Sequence, residues 1–230
     1  RKEIIYAKKA YHGSTLGALS ILGVESQKQK FEPLIPECHA IEFNTESELS
    51  KITNKTAGVI LETIQGGAGF IVPKRNYLKK VKKRCEEVGA LLILDEIQPG
   101  FGRTGKLFGF EHFEISPDIL VVGKGMGGGM PIGGFIASNE LMMLLSNHPK
   151  LGHITTFGGN PVIAAAALAT LKELTETSLI RETLIKEKLF KKLYKKILII
   201  HLKLKRRVKS LHHQGLCKRR VIELHKYVRR

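Results

Sequence analysis

The chain has no tryptophan, only three cysteines, and no uninterrupted apolar run near the roughly 18 residues that a membrane-spanning helix needs. A membrane protein is therefore not expected, and no secretory signal opens the sequence. Cys38, Cys85 and Cys217 are too scattered for a disulfide framework or a metal-ligand spacing, which makes a reducing, cytoplasmic setting the simplest home. Acidic residues are scarce in one place only. Residues 1–180 hold 20 Lys and Arg against 18 Asp and Glu, whereas residues 181–230 hold 18 against 3, so +15 of the formal +17 lies in the tail. Basic stretches such as Lys203-Leu-Lys-Arg-Arg207 and Lys218-Arg-Arg220 can bind polyanions by counterion release. Like-charge runs are more often solvated than specific, however, so no specific nucleic-acid partner is expected.

What is present is an alternation. Ala57-Gly-Val-Ile-Leu61, Ala90-Leu-Leu-Ile-Leu94, Asp118-Ile-Leu-Val-Val122 and Ile132-Gly-Gly-Phe-Ile-Ala137 read as strands. Between the first two, Asn76 to Val88 places Leu78, Val81 and Cys85 on one helical stripe with basic residues outward. Pro161 to Leu174 is an alanine-rich helix that opens on proline, a residue suited to a first turn. Strands alternating with helices predict an α/β fold, a mostly parallel sheet flanked by helices. At 230 residues the chain is long enough to bury a good core in one large domain, and it shows no internal repeat.

Lys124 leaves the apolar run Ile119-Leu-Val-Val-Gly123 and opens the loop Gly125-Met-Gly-Gly-Gly-Met-Pro131. A lysine at the exit of a buried strand is expected to be desolvated, which frees its neutral amine to condense with a carbonyl. A solvated lysine is the commoner occupant of such a place, so the neighbourhood has to decide. Upstream, Ala90-Leu-Leu-Ile-Leu94 runs into Asp95 and Glu96. A carboxylate at the C-terminal end of a buried strand faces the crevice where open α/β sheets bind ligands, and Asp95 is placed there to pair with a cationic group.

Gly100-Phe-Gly102-Arg-Thr-Gly105 fits a dinucleotide-binding pattern and, with Lys106, a nucleotide-triphosphate loop. Leu107 stands where a Ser or Thr would hold magnesium, and Lys106-Leu-Phe-Gly-Phe-Glu-His-Phe lacks the stripe of a following helix. A flexible substrate-side loop is the better reading.

Three stretches carry a resemblance: Leu94-Asp-Glu-Ile-Gln-Pro-Gly-Phe-Gly-Arg-Thr-Gly-Lys106, Pro117-Asp-Ile-Leu-Val-Val-Gly-Lys-Gly125 and Gly127-Gly-Gly-Met-Pro-Ile-Gly133. Together they closely resemble the cofactor-lysine signature of class III aminotransferases, the ornithine and acetylornithine aminotransferase group. Tyr11-His12-Gly13 resembles that family's aromatic-His-Gly element. Glu62-Thr-Ile-Gln-Gly66 resembles its Glu-Pro-x-Gln-Gly element, and Thr155-Thr-Phe-Gly-Gly-Asn-Pro161 its loop of hydroxyl, aromatic and glycine residues. The resemblance covers residues 1–180 and is most specific from 90 to 161.

The resemblance implies a fold-type-I pyridoxal-phosphate transferase large domain. Lys124 would carry the cofactor as a Schiff base and move the substrate proton. Asp95 would keep the pyridine nitrogen protonated, Gln98 would bond the phenolic oxygen, and Tyr11 would stack on the ring. His12, Gly13 and Glu62 would belong to the cofactor site through their motifs. Thr156 would reach the phosphate of a partner subunit's cofactor, which makes a homodimer with shared sites part of the expectation. The implied reaction moves an amino group from an amino-acid or ω-amine donor to a 2-oxo acid, 2-oxoglutarate by expectation. An aminomutase on the same scaffold, or an inactive fragment whose basic tail binds nucleic acid or membrane, are the alternatives.

Some features depart from the family pattern. Thr63 replaces its usual proline, and Gly67 stands where many members carry a second glutamate. The large domain is expected to be incomplete at its N-terminus. Residues 181–230 are expected to be a basic helical or disordered tail, out of frame or otherwise replaced, in place of the family's small domain. The chain as it stands is then expected not to turn over substrate.

Overall fold

Among the residues described by the computed structural model, 1–147, 149–150 and 152–212, short runs rich in Ile, Val and Leu pair into one sheet of six strands. They are β1 (Glu3–Ala7), β2 (Cys38–Ile41), β3 (Thr56–Glu62), β4 (Leu91–Asp95), β5 (Ile119–Gly123) and β6 (Gly133–Ala137). Their spatial order is β2-β1-β3-β4-β5-β6; the first five are mutually parallel, and β6 returns antiparallel to β5. The α-helices are α1 (Leu16–Ser20), α2 (Tyr77–Val88), α3 (Asn139–Asn147), α4 (Pro161–Glu176) and α5 (Leu179–His212). The mostly parallel sheet with flanking helices is the architecture that the alternation predicts.

The sheet is held by what α2 covers. Tyr77, Leu78, Val81 and Cys85 are at most 1% exposed and pack with Ile5, Ile41, Val59, Leu61, Leu92 and Leu94 into one core. Burying one such side chain contributes about 1.5–3 kcal/mol. The helix stops at Gly89, whose φ of 68° is the left-handed turn that only glycine adopts freely. At α4, the side chain of Asn160 accepts from the backbone N–H groups of Val162 and Ile163, and Pro161 takes the first turn. β1 and β2 are absent from the strand-like runs read in the sequence; β2 has only four residues, whereas β1 is as long as β4, β5 and β6, so length does not account for it.

Two compact units divide the chain, Arg1–Thr183 and Leu184–Arg230. The first contains the whole sheet and α1 to α4. The second continues α5, which exposes Leu189, Phe190 and Tyr194 among its lysines. Cys217 and the basic stretch Lys218-Arg-Arg220 lie outside the described residues. Among the described residues no helix is long and apolar enough to cross a membrane.

Candidate active site

Parallel strands deliver their C-terminal residues to one edge of the sheet, and that edge is where the motifs meet. Glu62 closes β3, Asp95 closes β4, and the two are register neighbours, on strands about 4.8 Å apart. Tyr11 and His12 lie in the loop that follows β1, and Lys124 directly follows β5.

Asp95 is 4% exposed and doubly held. Its Oδ2 accepts from Nδ1 of His12 at 2.8 Å, and its Oδ1 accepts from the backbone N–H of Ile97 at 2.9 Å. The His12 side chain is itself 3% exposed, and among the described residues its buried Nε2 has no hydrogen-bond partner. Glu62 bridges two loops: Oε2 accepts from the Tyr11 N–H and Oε1 from the Gly66 N–H, each at 3.1 Å. Burial pushes the Glu62 carboxyl above the ordinary glutamate value, and these two N–H donors offset part of the rise. Gln98 packs its amide over Gly66, where an added Cβ would fall 1.7 Å from Gln98 Oε1, so no side chain fits at 66 unless Gln98 moves. The Tyr11 side chain remains largely free, the residue being 51% exposed. Gly13 sits at φ 125°, a conformation that an L side chain resists.

One expectation is corrected. Lys124 is exposed rather than desolvated. β4 pairs with β5 only as far as Asp95 and Val121, so Lys124 stands beyond the doubly paired part of the sheet, and on its other side β6 offers only Gly133 opposite Gly123. Its backbone is unusual instead: Lys124 adopts φ 43° at the start of the 3-10 turn Lys124–Gly127. Thr156 is exposed in the segment ahead of α4 and makes no hydrogen bond with the Asp95 group. Residues 100–106 form turns and a bend, and the next helical element is the 3-10 segment Gly109–Phe113 rather than an α-helix, so a helix N-terminus for phosphate is missing there.

Glu96 was not singled out from the sequence. It is 0% exposed and accepts three hydrogen bonds, from Thr63 Oγ1 at 2.6 Å, Gly109 N at 2.8 Å and Phe110 N at 2.9 Å. Burial raises its carboxyl above the ordinary value, and the three donors oppose that rise. Its only sequence signal is the acid pair at a strand end, since the donors come from loops distant in the chain.

A family model described as aminotransferase class-III matches residues 1–218, a span that runs past the quoted motifs into the basic region. The chain belongs to the class-III aminotransferases. Within that family it is 48% identical over 183 residues to a putrescine aminotransferase of Pectobacterium atrosepticum, a match covering 76% of this chain and 39% of that protein. It is 43% identical over 181 residues to an acetylornithine aminotransferase of Clostridium acetobutylicum, covering 78% of this chain and 46% of the relative. The chain thus spans less than half the length of these two curated relatives. Among solved structures, it matches the ornithine aminotransferase of Toxoplasma gondii crystallised in the presence of oxidised glutathione, in whose active site PLP is partially occupied. That match has a TM-score of 0.73 at 34% identity and covers 77% of this class-III chain and 42% of the Toxoplasma chain.

Proposed function

We propose that this protein is a pyridoxal-phosphate-dependent aminotransferase that moves an amino group from an amino-acid or amine donor to a 2-oxo acid, with Lys124 as the residue that carries the cofactor. The observation that supports this best is Asp95, a buried carboxylate fixed by His12 and Ile97 on the same sheet edge that Lys124 leaves. The donor set fits the cofactor. Lys124 offers an amine for its aldehyde. Asp95 has one hydrogen bond on each oxygen and keeps lone pairs for a ring N–H. Tyr11 offers an exposed aromatic face, and Gln98 an amide. When bound, pyridoxal phosphate supplies an electron sink for breaking bonds at the amine-bearing carbon.

The chain's own residues then divide the work. Asp95 holds the ring-nitrogen proton by a charge-assisted hydrogen bond. His12 orients Asp95 from behind through Nδ1. Glu62 ties the Tyr11 loop to the Gly66 loop and so sets where the Tyr11 ring can lie. Gln98 would donate to the phenolic oxygen of the cofactor, and the Lys124 amine would move the substrate proton. Thr156, exposed in the segment ahead of α4, suits a role at a partner subunit's cofactor, which makes the working form a homodimer. The acceptor is 2-oxoglutarate, the setting is cytoplasmic, and the names of the relatives point to donors with a free primary amine such as putrescine, acetylornithine or ornithine. Because the chain spans less than half the length of its curated relatives, the test uses the chain extended to their length, incubates it with pyridoxal phosphate, each donor in turn and 2-oxoglutarate, and measures glutamate. Glutamate formed by the wild type and lost in Lys124→Ala is the expected result. Equal formation by both would reject Lys124.

A further inference from the structure

Lys124 sits in a backbone conformation that a lysine avoids, at φ 43°. Such strain persists only where the surroundings over-determine it. Three close approaches leave the turn little room. A Cβ on Gly123 would lie 3.2 Å from the carbonyl oxygen of Ile132, and one on Gly128 would lie 2.3 Å from Thr170 Oγ1. One on Gly125 would lie 3.3 Å from Cβ of Phe101 and 3.9 Å from its Cγ. The third is the informative one, because Phe101 comes from the Asp95 side of the site.

Phe101 is half-buried and itself left-handed, at φ 56°. Its ring meets Phe108 edge to face at 5.5 Å between centroids, and Phe108 stacks on Phe110 at 5.6 Å. Both ends of this loop are fastened to Glu96. The Gly100 N–H donates to the Glu96 backbone carbonyl at 3.0 Å, and the Gly109 and Phe110 N–H groups donate to its carboxylate. The loop is therefore anchored on the residue next to Asp95, and the Phe101 side chain lies beside Gly125, the residue next to Lys124.

We propose that Phe101 is a positioning residue for Lys124: its ring, braced by Phe108 and Phe110 on the Glu96 anchor, holds the Lys124 turn in register with Asp95. The same residues 100–106 that mimic a nucleotide loop in sequence thereby act as a strut between the two groups that the cofactor needs. The inference rests on Lys124 being the cofactor lysine.

The full chain tests it in three forms. Phe101→Gly accepts the left-handed backbone but lacks the ring, Phe101→Tyr keeps the ring, and Phe108→Leu removes its brace while leaving residue 101 alone. Each is mixed with pyridoxal phosphate, fixed with borohydride, and mapped by peptide mass spectrometry. The ratio of acetylation at Lys124 to that at Lys83, an exposed lysine on α2, is measured without cofactor, and thermal melts report folding. Misplacement by about 1 Å can cost ~10²-fold, so a partial loss of register in Phe101→Gly should lower label at Lys124 by about tenfold. Phe101→Tyr should restore it, Phe108→Leu should fall between, and the acetylation ratio should shift in Phe101→Gly and return in Phe101→Tyr. Wild-type labelling and an unchanged acetylation ratio in both Phe101→Gly and Phe108→Leu would overturn the proposal, whatever the melts show. Should Phe101→Gly not fold, Phe108→Leu against Phe101→Tyr decides. If the wild type takes no label at Lys124, it is the aminotransferase reading that fails, and the acetylation ratios alone then settle whether Phe101 positions the turn.

Discussion

Val59 and Leu61 of β3, and Leu92 and Leu94 of β4, are apolar and 0% exposed, whereas the residues that close these strands, Glu62 and Asp95, are nearly as buried and carry carboxylates. The bodies of the two strands follow the ordinary rule, since each apolar side chain removed from water favours the fold. Their ends break it, because a buried carboxylate costs free energy unless donors surround it. Here donors do surround it: His12 and Ile97 on Asp95, Tyr11 and Gly66 on Glu62, and Thr63, Gly109 and Phe110 on Glu96. One strand thus stabilises with its body and carries the proposed site at its tip. Places where a sequence breaks a local rule are where function is to be sought.

Substitutions at successive depths along the strands test that division. The largest loss belongs to the body. Leu92→Ala should cost about 2–5 kcal/mol in denaturant unfolding, the usual range for emptying a core leucine site, without removing any group that touches the cofactor.

Glu96→Gln comes next, at about 1–3 kcal/mol, because an amide N–H₂ must face donors that the carboxylate accepted. The sign of its pH dependence comes from the raised carboxyl. A group that binds its proton more tightly when folded gives stability that is fully present below the ordinary value of 4.5 and is lost as pH rises through the folded value. The deficit of Glu96→Gln against wild type should therefore shrink as pH rises above 4.5, and a deficit that grows would contradict the burial argument. Melts of both proteins in a series of buffers measure it.

Asp95→Asn should cost about 1 kcal/mol of stability, one neutral hydrogen bond in place of a charged one. Its effect on chemistry should be far larger than that on folding. In the chain extended to the length of its relatives, loss of the carboxylate proposed to hold the ring-nitrogen proton should lower amino transfer by at least ~10²-fold, the cost of removing one preorganised electrostatic partner. Near-normal transfer would mean that another group holds that proton.

How much of this was legible in the sequence depends on how local each signal is. The runs that became β3 to β6, and the stripe Leu78, Val81 and Cys85 of α2, are patterns within a few residues and were readable to within a residue or two. β2, at four residues, is too short to show a period, while β1, although as long as β4 to β6, shows itself as a strand through its pairing with β2 and β3. In the site, residue type and strand-end position marked Lys124 and Asp95, and the family resemblance marked Glu62 and Gln98, but partnerships could not be read. The His12 to Asp95 bond joins positions 83 residues apart, and the donors to Glu96 come from loops after β3 and before β5. The exposure of Lys124 escapes the sequence for the same reason. Strand exit implies burial only where neighbouring strands extend as far, and β4 ends its pairing at Val121.

Lys124→Ala should leave stability within about 0.5 kcal/mol of wild type, since the side chain it removes is exposed. That small effect isolates the central claim, which one experiment tests most directly: the protein is saturated with pyridoxal phosphate, reduced with borohydride, and digested for peptide mass spectrometry. The account predicts a pyridoxyl group on Lys124, with the label gone and the melt unchanged in Lys124→Ala. A label on another lysine, or equal labelling in both proteins, would contradict it.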